Sequence, residues 1–133
     1  MKSDVPNQLT CPFCNPEKSR VLKANDHAIA IPDGFPIAPG HTLIIPKRHI
    51  ASFFEATREE QTALLDLVAE IRQRLLTELS PAGFHIGIND CAAAGQTVMH
   101  LHIHLIPRYA GDMPDLRGGV RWIFPDKAAY WDK

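Results

Sequence analysis

The chain has 133 residues, 45% of them hydrophobic and 22% charged, which fits one compact domain spanning 1–133. Its 14 basic and 15 acidic residues give a net charge of −1, without the basic run that marks a nucleic-acid footprint. The apolar stretches are too short to cross a bilayer, and the first residues lack the apolar core of a secretory signal. We therefore expect a cytoplasmic protein without a nucleic-acid or membrane partner.

The predicted secondary structure alternates short strands with one long helix. Thr57 and Glu60 have the spacing of a capping box, so we expect a helix to open at Thr57. Apolar residues then recur at three- and four-residue spacing and form one stripe, namely Leu64, Leu67, Val68, Ile71, Leu75 and Leu79. The other predicted elements are a tight turn at 11–16, strands at 27–32, 42–45, 84–89 and 97–108, and an irregular tail at 109–133. This order indicates an α+β fold with an antiparallel sheet.

Three histidines stand at alternate positions between residues 100 and 104. Alternate residues of a strand share a face, so we expect the rings of His100, His102 and His104 on one face, about 7 Å apart. Packing three half-polar rings together costs desolvation that an ordinary core avoids. The run therefore indicates a functional site.

Two chemical interpretations of this run stay open. The three histidines could hold a catalytic zinc ion with one position open for water. Alternatively, one neutral imidazole is a nucleophile near pH 7 and its neighbours support it. Neutral donors precede the run at Asn89, Gly95, Gln96 and Thr97, and these suit phosphate oxygens better than a divalent metal, which favours the nucleophile.

The chain has three cysteines, and an odd number without an export signal argues against a disulfide scaffold. Cys11 and Cys14 form a C-x-x-C pair that has three interpretations: a redox motif, two structural thiols, or half of a structural zinc site. A redox pair should follow a strand and open a helix, whereas Asn15 and Pro16 follow this one. The zinc interpretation fits better, because zinc requires four ligands and two cysteines with two histidines complete such a set.

Two segments together resemble the histidine-triad (HIT) family. The first is Gly95-Gln96-Thr97-Val98 followed by His-x-His-x-His-Leu-Ile-Pro-Arg at 100–108, and the second is Pro-Gly-His-Thr-Leu-Ile-Ile-Pro-Lys-Arg-His at 39–49. The resemblance covers about residues 11–108, and Cys91 stands where many relatives carry glycine. It implies the HIT-like fold, in which an antiparallel sheet packs with one long α-helix and a short helix.

The resemblance implies nucleotidyl-histidine chemistry on a purine nucleotide. His102 would attack the α-phosphorus, His104 would donate to a non-bridging oxygen, and Gln96 would hold the phosphoryl or leaving group. Water would then release a nucleoside monophosphate from a dinucleoside polyphosphate or a nucleoside phosphoramidate. The implied nucleotide-binding residues are Asp33 at the ribose, Ile29 and Ile31 in the base pocket, and Asn89, Gly95 and Thr97 near the phosphate, with His41 in support.

A zinc-containing, bacterial-type branch of the family resembles this chain at Cys11, Cys14, His49 and His100. The resemblance implies a structural zinc ion on these ligands, no requirement for a catalytic metal, and a homodimer. His102 and His104 are then free for chemistry. Two alternatives stay open: a metallohydrolase with a metal on those last two histidines, and a nucleotide-binding module with little turnover.

Overall fold

The protein, described here by a computed structural model of residues 10–132, is a five-stranded antiparallel sheet packed against one long helix. The strands are β1 (Lys23–Ala24), β2 (Ala28–Pro32), β3 (Thr42–Pro46), β4 (Gly83–Ile88) and β5 (Ile103–Arg108). The α-helices are α1 (Arg58–Leu79) and the short α2 (Pro125–Ala128). In space the strands follow the order β1-β2-β3-β5-β4, and each neighbouring pair is antiparallel. The predicted α+β class is confirmed.

Helix α1 begins and ends where its capping residues predict. Thr57 Oγ1 accepts from the Glu60 N–H at 3.1 Å, and the Thr57 N–H donates to Glu60 Oε1 at 2.8 Å, which completes the capping box. Ser80 ends the helix in a left-handed conformation with φ of 50°, and Pro81, which cannot continue a helix, follows. Five of the six predicted stripe residues are buried, while Leu79 in the last turn is 42% exposed.

The two faces of the sheet have different partners. One face packs against α1 and forms the larger apolar core. The opposite face carries a smaller apolar cluster of Ile31, Leu43 and Ile45. Phe13 and Val21, from the N-terminal turn and the segment after it, pack on this cluster. His104 lies on the same face, because it pairs with Leu43 across β3 and β5.

The last strand begins later than the sequence pattern predicts. β5 starts at Ile103, so the prediction of a strand over 97–102 is wrong, and only the last of the three histidines lies on a strand. The Leu101 N–H donates to the Ile50 carbonyl at 2.7 Å, and two nearby carbonyls accept from side chains. Because these backbone groups make hydrogen bonds within loops, they do not form the inter-strand hydrogen bonds of a sheet.

Two smaller differences concern the ends of the chain. The sequence pattern does not predict β1, since a strand of two residues has no periodic signal. The tail, expected to be irregular, contains α2 between short 3-10 helices at Gly119–Ile123 and Tyr130–Asp132. No helix among residues 10–132 is long and apolar enough to cross a membrane.

Candidate active site and metal-type cluster

His102 presents one ring nitrogen as a free electron pair. Its Nδ1 lies 2.8 Å from the carbonyl oxygen of His100, and because a carbonyl only accepts, Nδ1 carries the proton. The neutral ring therefore keeps its lone pair on Nε2. The residue is buried, with 9% of its surface exposed. A neutral imidazole nitrogen held in this way can attack an electrophile.

Two aromatic neighbours orient the His102 ring. The Phe13 ring lies edge-on to it with centroids 5.1 Å apart, and the His104 ring lies edge-on at 5.2 Å. Phe13 stands between the two cysteines of the C-x-x-C pair, so this turn folds onto the histidine run. Sequence reasoning missed Phe13, because no local pattern links the turn to residue 102.

His104 is joined to His41 and Asp33. Its Nδ1 lies 3.0 Å from His41 Nε2, while Asp33 Oδ2 lies 3.3 Å from that His41 atom and 4.0 Å from His104 Nδ1. The Ile37 N–H donates to His41 Nδ1 at 3.2 Å. A neutral His41 must therefore carry its proton on Nε2, facing His104 and Asp33. His104 Nδ1 then accepts, and the proton of His104 lies on Nε2.

Burial keeps both of these rings neutral. Desolvation lowers the pKa of His41, and the charge of Asp33 opposes this with a smaller effect. Burial also lowers the pKa of His104, and the neighbouring His102 and His41 lower it further. Both shifts favour the uncharged rings, so the donor and acceptor roles given above apply at neutral pH.

The loop between β2 and β3 positions both partners of His104. Asp33 directly follows β2, His41 directly precedes β3, and the Asp33 N–H donates to the His41 carbonyl at 3.0 Å. Gly40 has a φ of +87°, and a Cβ there would lie 2.9 Å from the side chains of Leu75 and Leu79. Only glycine tolerates both the conformation and the close approach, so it is needed to turn the chain into His41.

A second cluster collects the four predicted metal ligands. The ligand atoms of Cys11, Cys14, His49 and His100 all lie within 4.8 Å of one another. Cys14 Sγ is 3.0 Å from His49 Nδ1 and 3.5 Å from His100 Nδ1, and the two imidazole nitrogens are 3.2 Å apart. This convergence of two thiols and two rings could hold a metal ion.

The backbone sets the direction of the His100 ring. Its Nε2 donates to the Pro46 carbonyl at 2.8 Å, which leaves the lone pair on Nδ1, beside the cysteines. Burial lowers the pKa of His100, and burial together with the Cys11 thiol raises the pKa of Cys14 to about 11. His100 belongs to the cysteine cluster, and the strand begins only after His102. The Phe13 ring nevertheless contacts the rings of both His100 and His102, and the His102 ring contacts that of His104.

Gln96 is buried, and its side-chain amide is occupied by the backbone. Its Oε1 accepts from the Cys91 N–H at 2.8 Å, and its Nε2 donates to the carbonyls of Ala51 and Val98 at 2.9 and 3.1 Å. Both ends of the amide are therefore engaged before any ligand binds. Gln96 thus holds the loop after residue 90 in place, and its contact with a phosphoryl or leaving group stays a prediction.

The loop that Gln96 holds contains a strained cysteine. Cys91 has φ of 82° and ψ of 157°, a region that glycine alone occupies readily. Gly95 closes the loop with φ of +94°. The Cys91 side chain is exposed and lies outside the metal-type cluster.

The remaining predicted binding residues have contrasting environments. Asn89, Gly95 and Thr97 are exposed around this loop. Ile31 is fully buried in the cluster on the second face of the sheet, so no surface of it is open to a base. Ile29 is partly buried against the same cluster. The two isoleucines thus have packing positions in this structure.

An open cleft of about 860 Å³ adjoins His104. Strands β4 and β5 form its floor, and the 33–41 loop and tail residues 112–123 form its walls. Gly87 pairs with His104 across β4 and β5, and a Cβ on Gly87 would meet nothing within 4 Å. Asp33, His41 and Asn89 also line the cleft. Sequence reasoning missed it, because its walls come from distant parts of the chain.

This fold, with alternate histidines beside a loop of neutral donors, is that of the histidine-triad proteins. A family model described as the HIT domain matches residues 15–111. The chain belongs to the HIT family. The match begins after Cys11 and Cys14, so the cysteine pair lies outside the part that the family model describes.

Relatives and solved structures agree with this assignment. An uncharacterised HIT-like protein of Mycoplasma genitalium is 38% identical over 104 residues, 75% of this chain and 74% of the relative. The asymmetrical bis(5′-nucleosyl)-tetraphosphatase of Schizosaccharomyces pombe is 40% identical over 80 residues, 60% of this chain and 44% of that enzyme. A zinc-bound histidine-triad protein of Mycobacterium smegmatis superposes with a TM-score of 0.71 at 30% identity, over 81% of this chain and 86% of that one. The family therefore includes a nucleotide hydrolase and a zinc-bound member.

Proposed function

We propose that the protein hydrolyses or transfers nucleotides through a covalent nucleotidyl-histidine intermediate on His102. The observation that carries the proposal is the hydrogen bond from His102 Nδ1 to the His100 carbonyl at 2.8 Å. It leaves Nε2 as the nucleophile and stabilises the positive charge that the ring acquires when Nε2 bonds to phosphorus. Similarity to a bis(5′-nucleosyl)-tetraphosphatase supports a nucleotide as the substrate.

The proposed reaction has two displacement steps. In the first, His102 Nε2 attacks the α-phosphorus of a purine nucleotide, and the leaving group departs with the electron pair of its bond to phosphorus. In the second, water attacks the phosphorus, the bond to Nε2 breaks, and a nucleoside monophosphate forms while one proton passes to solvent. Two easier displacements replace one difficult displacement. Both dinucleoside polyphosphates and nucleoside phosphoramidates satisfy this scheme.

His104 donates its Nε2–H to a non-bridging phosphate oxygen in this scheme. His41 keeps the proton on that nitrogen, because its own Nε2–H faces His104 Nδ1 at 3.0 Å. A donor aimed at the phosphate stabilises the charge that develops in the transition state. Asp33, which lines the cleft, is our candidate for the ribose hydroxyls, and the exposed Asn89 and Thr97 are candidates for the phosphate.

We assign Cys11, Cys14, His49 and His100 to a structural zinc ion, as in the zinc-containing bacterial-type branch. A tetrahedral zinc ion sets sulfur and nitrogen ligands about 3.5 Å apart and two nitrogens about 3.3 Å apart. The separations here are 3.0–3.5 Å and 3.2 Å, which fit. His49 Nε2 is buried without a hydrogen-bond partner among residues 10–132, so Nδ1, on the cluster side, makes the polar contacts of that ring. The ion would tie the N-terminal turn to the histidine run and take no part in the chemistry.

A catalytic metal at His104 has weaker support. Asp33, His41 and His104 also bring their ligand atoms within 4.8 Å of one another. However, the Ile37 N–H holds His41 Nδ1 as an acceptor, so His41 Nε2 carries a proton and offers no lone pair to a metal. The metallohydrolase alternative would require this contact to break.

The assembly and location of the protein are also proposals. Strand β4 ends the strand order, and its Ile88 is 37% exposed, which supports a homodimer formed along this edge. The net charge of −1 supports the absence of a nucleic-acid partner, and we place the protein in the cytoplasm.

Trapping the covalent intermediate tests the proposed function. After rapid quenching with adenine dinucleoside polyphosphates and phosphoramidates, peptide mapping should place the nucleotidyl group on His102. His102→Asn should lose the adduct and the turnover but keep nucleotide binding. His27→Asn, which changes an exposed histidine outside the site, is the matched control and should retain both. An adduct on another residue, or full turnover by His102→Asn, overturns the proposal, whereas binding without any adduct supports the binding-module alternative.

A further inference from the structure

The turn that leads into His41 is of a kind for which two backbone conformations exist. The His41 N–H donates to the Ala38 carbonyl at 3.1 Å, so residues 38–41 form a four-residue turn. Pro39 takes its second position and Gly40 its third with φ of +87°, which is the pattern of a type II turn. A type I turn differs by a rotation of the central peptide group, and glycine tolerates both forms. The direction of the Pro39 carbonyl therefore distinguishes the two conformations.

The Tyr109 hydroxyl holds that carbonyl in the type II direction. It donates to the Pro39 carbonyl oxygen at 2.7 Å, the usual length of an O–H···O hydrogen bond. The following carbonyl, that of Gly40, accepts from Thr42 Oγ1 at 2.8 Å. Because one side chain holds the carbonyl before Gly40 and another holds the carbonyl after it, the peptide groups on both sides of this glycine are fixed.

Tyr109 is itself held at the end of β5. Its N–H donates to Asp112 Oδ2 at 3.0 Å, and the Asp112 N–H donates to the Tyr109 carbonyl at 3.1 Å. Asp112 also accepts from Arg108 Nε and Nη2 at 2.8 and 2.7 Å. Because the backbone of Tyr109 is already fixed, its hydroxyl restrains the turn without a further loss of chain entropy.

The proton position on the His41 ring depends on residues on both sides of this turn. The Ile37 N–H, which lies before the turn, donates to Nδ1 at 3.2 Å, and this contact places the ring proton on Nε2. That nitrogen lies 3.0 Å from His104 Nδ1. A rotation of the central peptide would shift Ile37 relative to His41 and weaken the contact that fixes the proton. The conformation of the turn therefore controls the hydrogen bond between the two histidines.

We infer that Tyr109 is a positioning residue of the active site. Its hydroxyl holds the 38–41 turn in the type II form and so keeps the His41 Nε2–H directed at His104 Nδ1. The effect on turnover rests on the proposed function, to which the inference adds a residue that acts through His41. Tyr109 also lines the cleft, so a direct contact between its hydroxyl and the substrate is the alternative.

Tyr109→Phe removes the hydroxyl and keeps the ring. With the adenine phosphoramidates and dinucleoside polyphosphates used for trapping, we expect kcat to fall about fivefold and KM to change by less than about twofold. The reason is that a 1 Å misplacement can cost about 100-fold, so the smaller shift of a turn that loses one restraint costs less. An unchanged kcat overturns the inference, and a raised KM with unchanged kcat assigns Tyr109 to the substrate instead.

Tyr130→Phe is the matched control. It removes the same atom from a tail tyrosine that is 58% exposed, and it keeps the ring that lies under the Arg121 guanidinium at 4.7 Å. We expect kcat and KM of this variant to equal those of the wild type. An equal fall of kcat in both variants means that the 38–41 turn is not the cause, and it overturns the inference.

A double-mutant cycle tests whether Tyr109 acts through His41. In the His41→Ala background, Tyr109→Phe should lower kcat by less than about twofold, because residues that act through one contact are not additive. A full fivefold loss in that background means that the hydroxyl acts independently of His41, which overturns the inference.

Hydrogen exchange in the substrate-free, ¹⁵N-labelled protein separates this inference from the proposed function. Exchange of the His41 Nε2 proton with water, measured by NMR, should be about fivefold faster in Tyr109→Phe, the effect of one net hydrogen bond, and unchanged in Tyr130→Phe. If the wild type forms no adduct on His102, the proposed function fails, and the exchange rate alone decides the role of Tyr109. If the adduct forms and Tyr109→Phe changes neither kcat nor exchange, the proposed function holds and the inference about Tyr109 fails.

Discussion

Two clusters of metal-type donors lie four residues apart on the histidine run. The first contains Cys11, Cys14, His49 and His100, and the second contains Asp33, His41 and His104. Within each cluster the candidate ligand atoms lie within 4.8 Å of one another, so donor spacing alone does not distinguish them. Their difference lies in where the backbone places the protons.

In the first cluster His100 donates a hydrogen bond to a backbone carbonyl, whereas in the second cluster His41 accepts a hydrogen bond from a backbone amide. The Pro46 carbonyl accepts from His100 Nε2, which leaves the lone pair of Nδ1 inside the cluster. The Ile37 N–H donates to His41 Nδ1, which places a proton on Nε2 inside the cluster. The first arrangement suits a cation and the second suits proton donation to a neighbour. One backbone contact per cluster therefore distinguishes the proposed structural site from the proposed catalytic site.

Metal removal should affect the first cluster most. A strong chelator, or Cys14→Ser, should lower Tm by about 10 °C or more, because the ligands of a structural metal contribute directly to folding. Differential scanning calorimetry with metal analysis measures this. Cys91→Ser, which changes the exposed cysteine outside the cluster, should keep its metal and its Tm. An unchanged Tm with abolished turnover contradicts the structural role.

Loss of His41 should affect the second cluster alone. His41→Ala removes the N–H that faces His104 Nδ1 and should slow adduct formation by up to about 100-fold, the lower limit of what a positioned acid or base contributes. Rapid-quench kinetics measures the rate, and metal content should stay unchanged. His41→Gln, whose amide can still donate to His104, should recover part of the rate. If both variants slow adduct formation equally, the packing of His41, and not its hydrogen bond to His104, determines the rate.

The ion pair of Glu60 with Arg48 should stabilise the segment that leads into His49. Its Oε atoms accept from Arg48 at 2.8 and 3.0 Å. These bonds, against the opposing effect of burial and with a smaller contribution from Thr57, lower the pKa of Glu60 from 4.5 to about 2. Glu60→Gln should therefore lower the free energy of unfolding by about 2 kcal/mol at pH 7, after allowance for the half-exposed Arg48.

This contribution has a defined pH dependence. Because the folded-state pKa is the lower one, the stabilisation is present above pH 4.5 and is lost as the pH falls toward about 2. Urea unfolding between pH 3 and 7 should show wild type and Glu60→Gln converging at the acid end. Glu59→Gln, at an exposed position of the same helical turn, is the control. A difference that stays constant with pH contradicts the ion-pair explanation.

The smallest expected effect is at Cys91, which belongs to neither cluster. Cys91→Gly should raise the free energy of unfolding by about 1 kcal/mol, since φ of 82° with ψ of 157° suits glycine. Cys91→Ala keeps the Cβ and should not stabilise. Equal stabilisation by both variants would assign the effect to the thiol rather than to the backbone.

The sequence by itself determined the elements that local signals define. The capping box at Thr57 and Glu60 and the stripe of α1 were predicted correctly, because both depend on residues within a few positions of each other. The strand at Thr42–Pro46 was also recognisable from its β-branched run. The resemblance to the HIT family named the four cluster residues, and the fold brings them together.

Only the tertiary structure decided the roles of the histidines and the shape of the cleft. The direction of the His100 ring depends on the Pro46 carbonyl, and the loop conformation before β5 depends on the Ile50 carbonyl, both about 50 positions away in sequence. The Gln96 side chain is buried for a similar reason, because its Nε2 donates a hydrogen bond to the Ala51 carbonyl. The tail reaches the cleft only because the chain folds back over β4 and β5. Proton positions and cleft walls follow from partners distant in sequence, and no local pattern contains them.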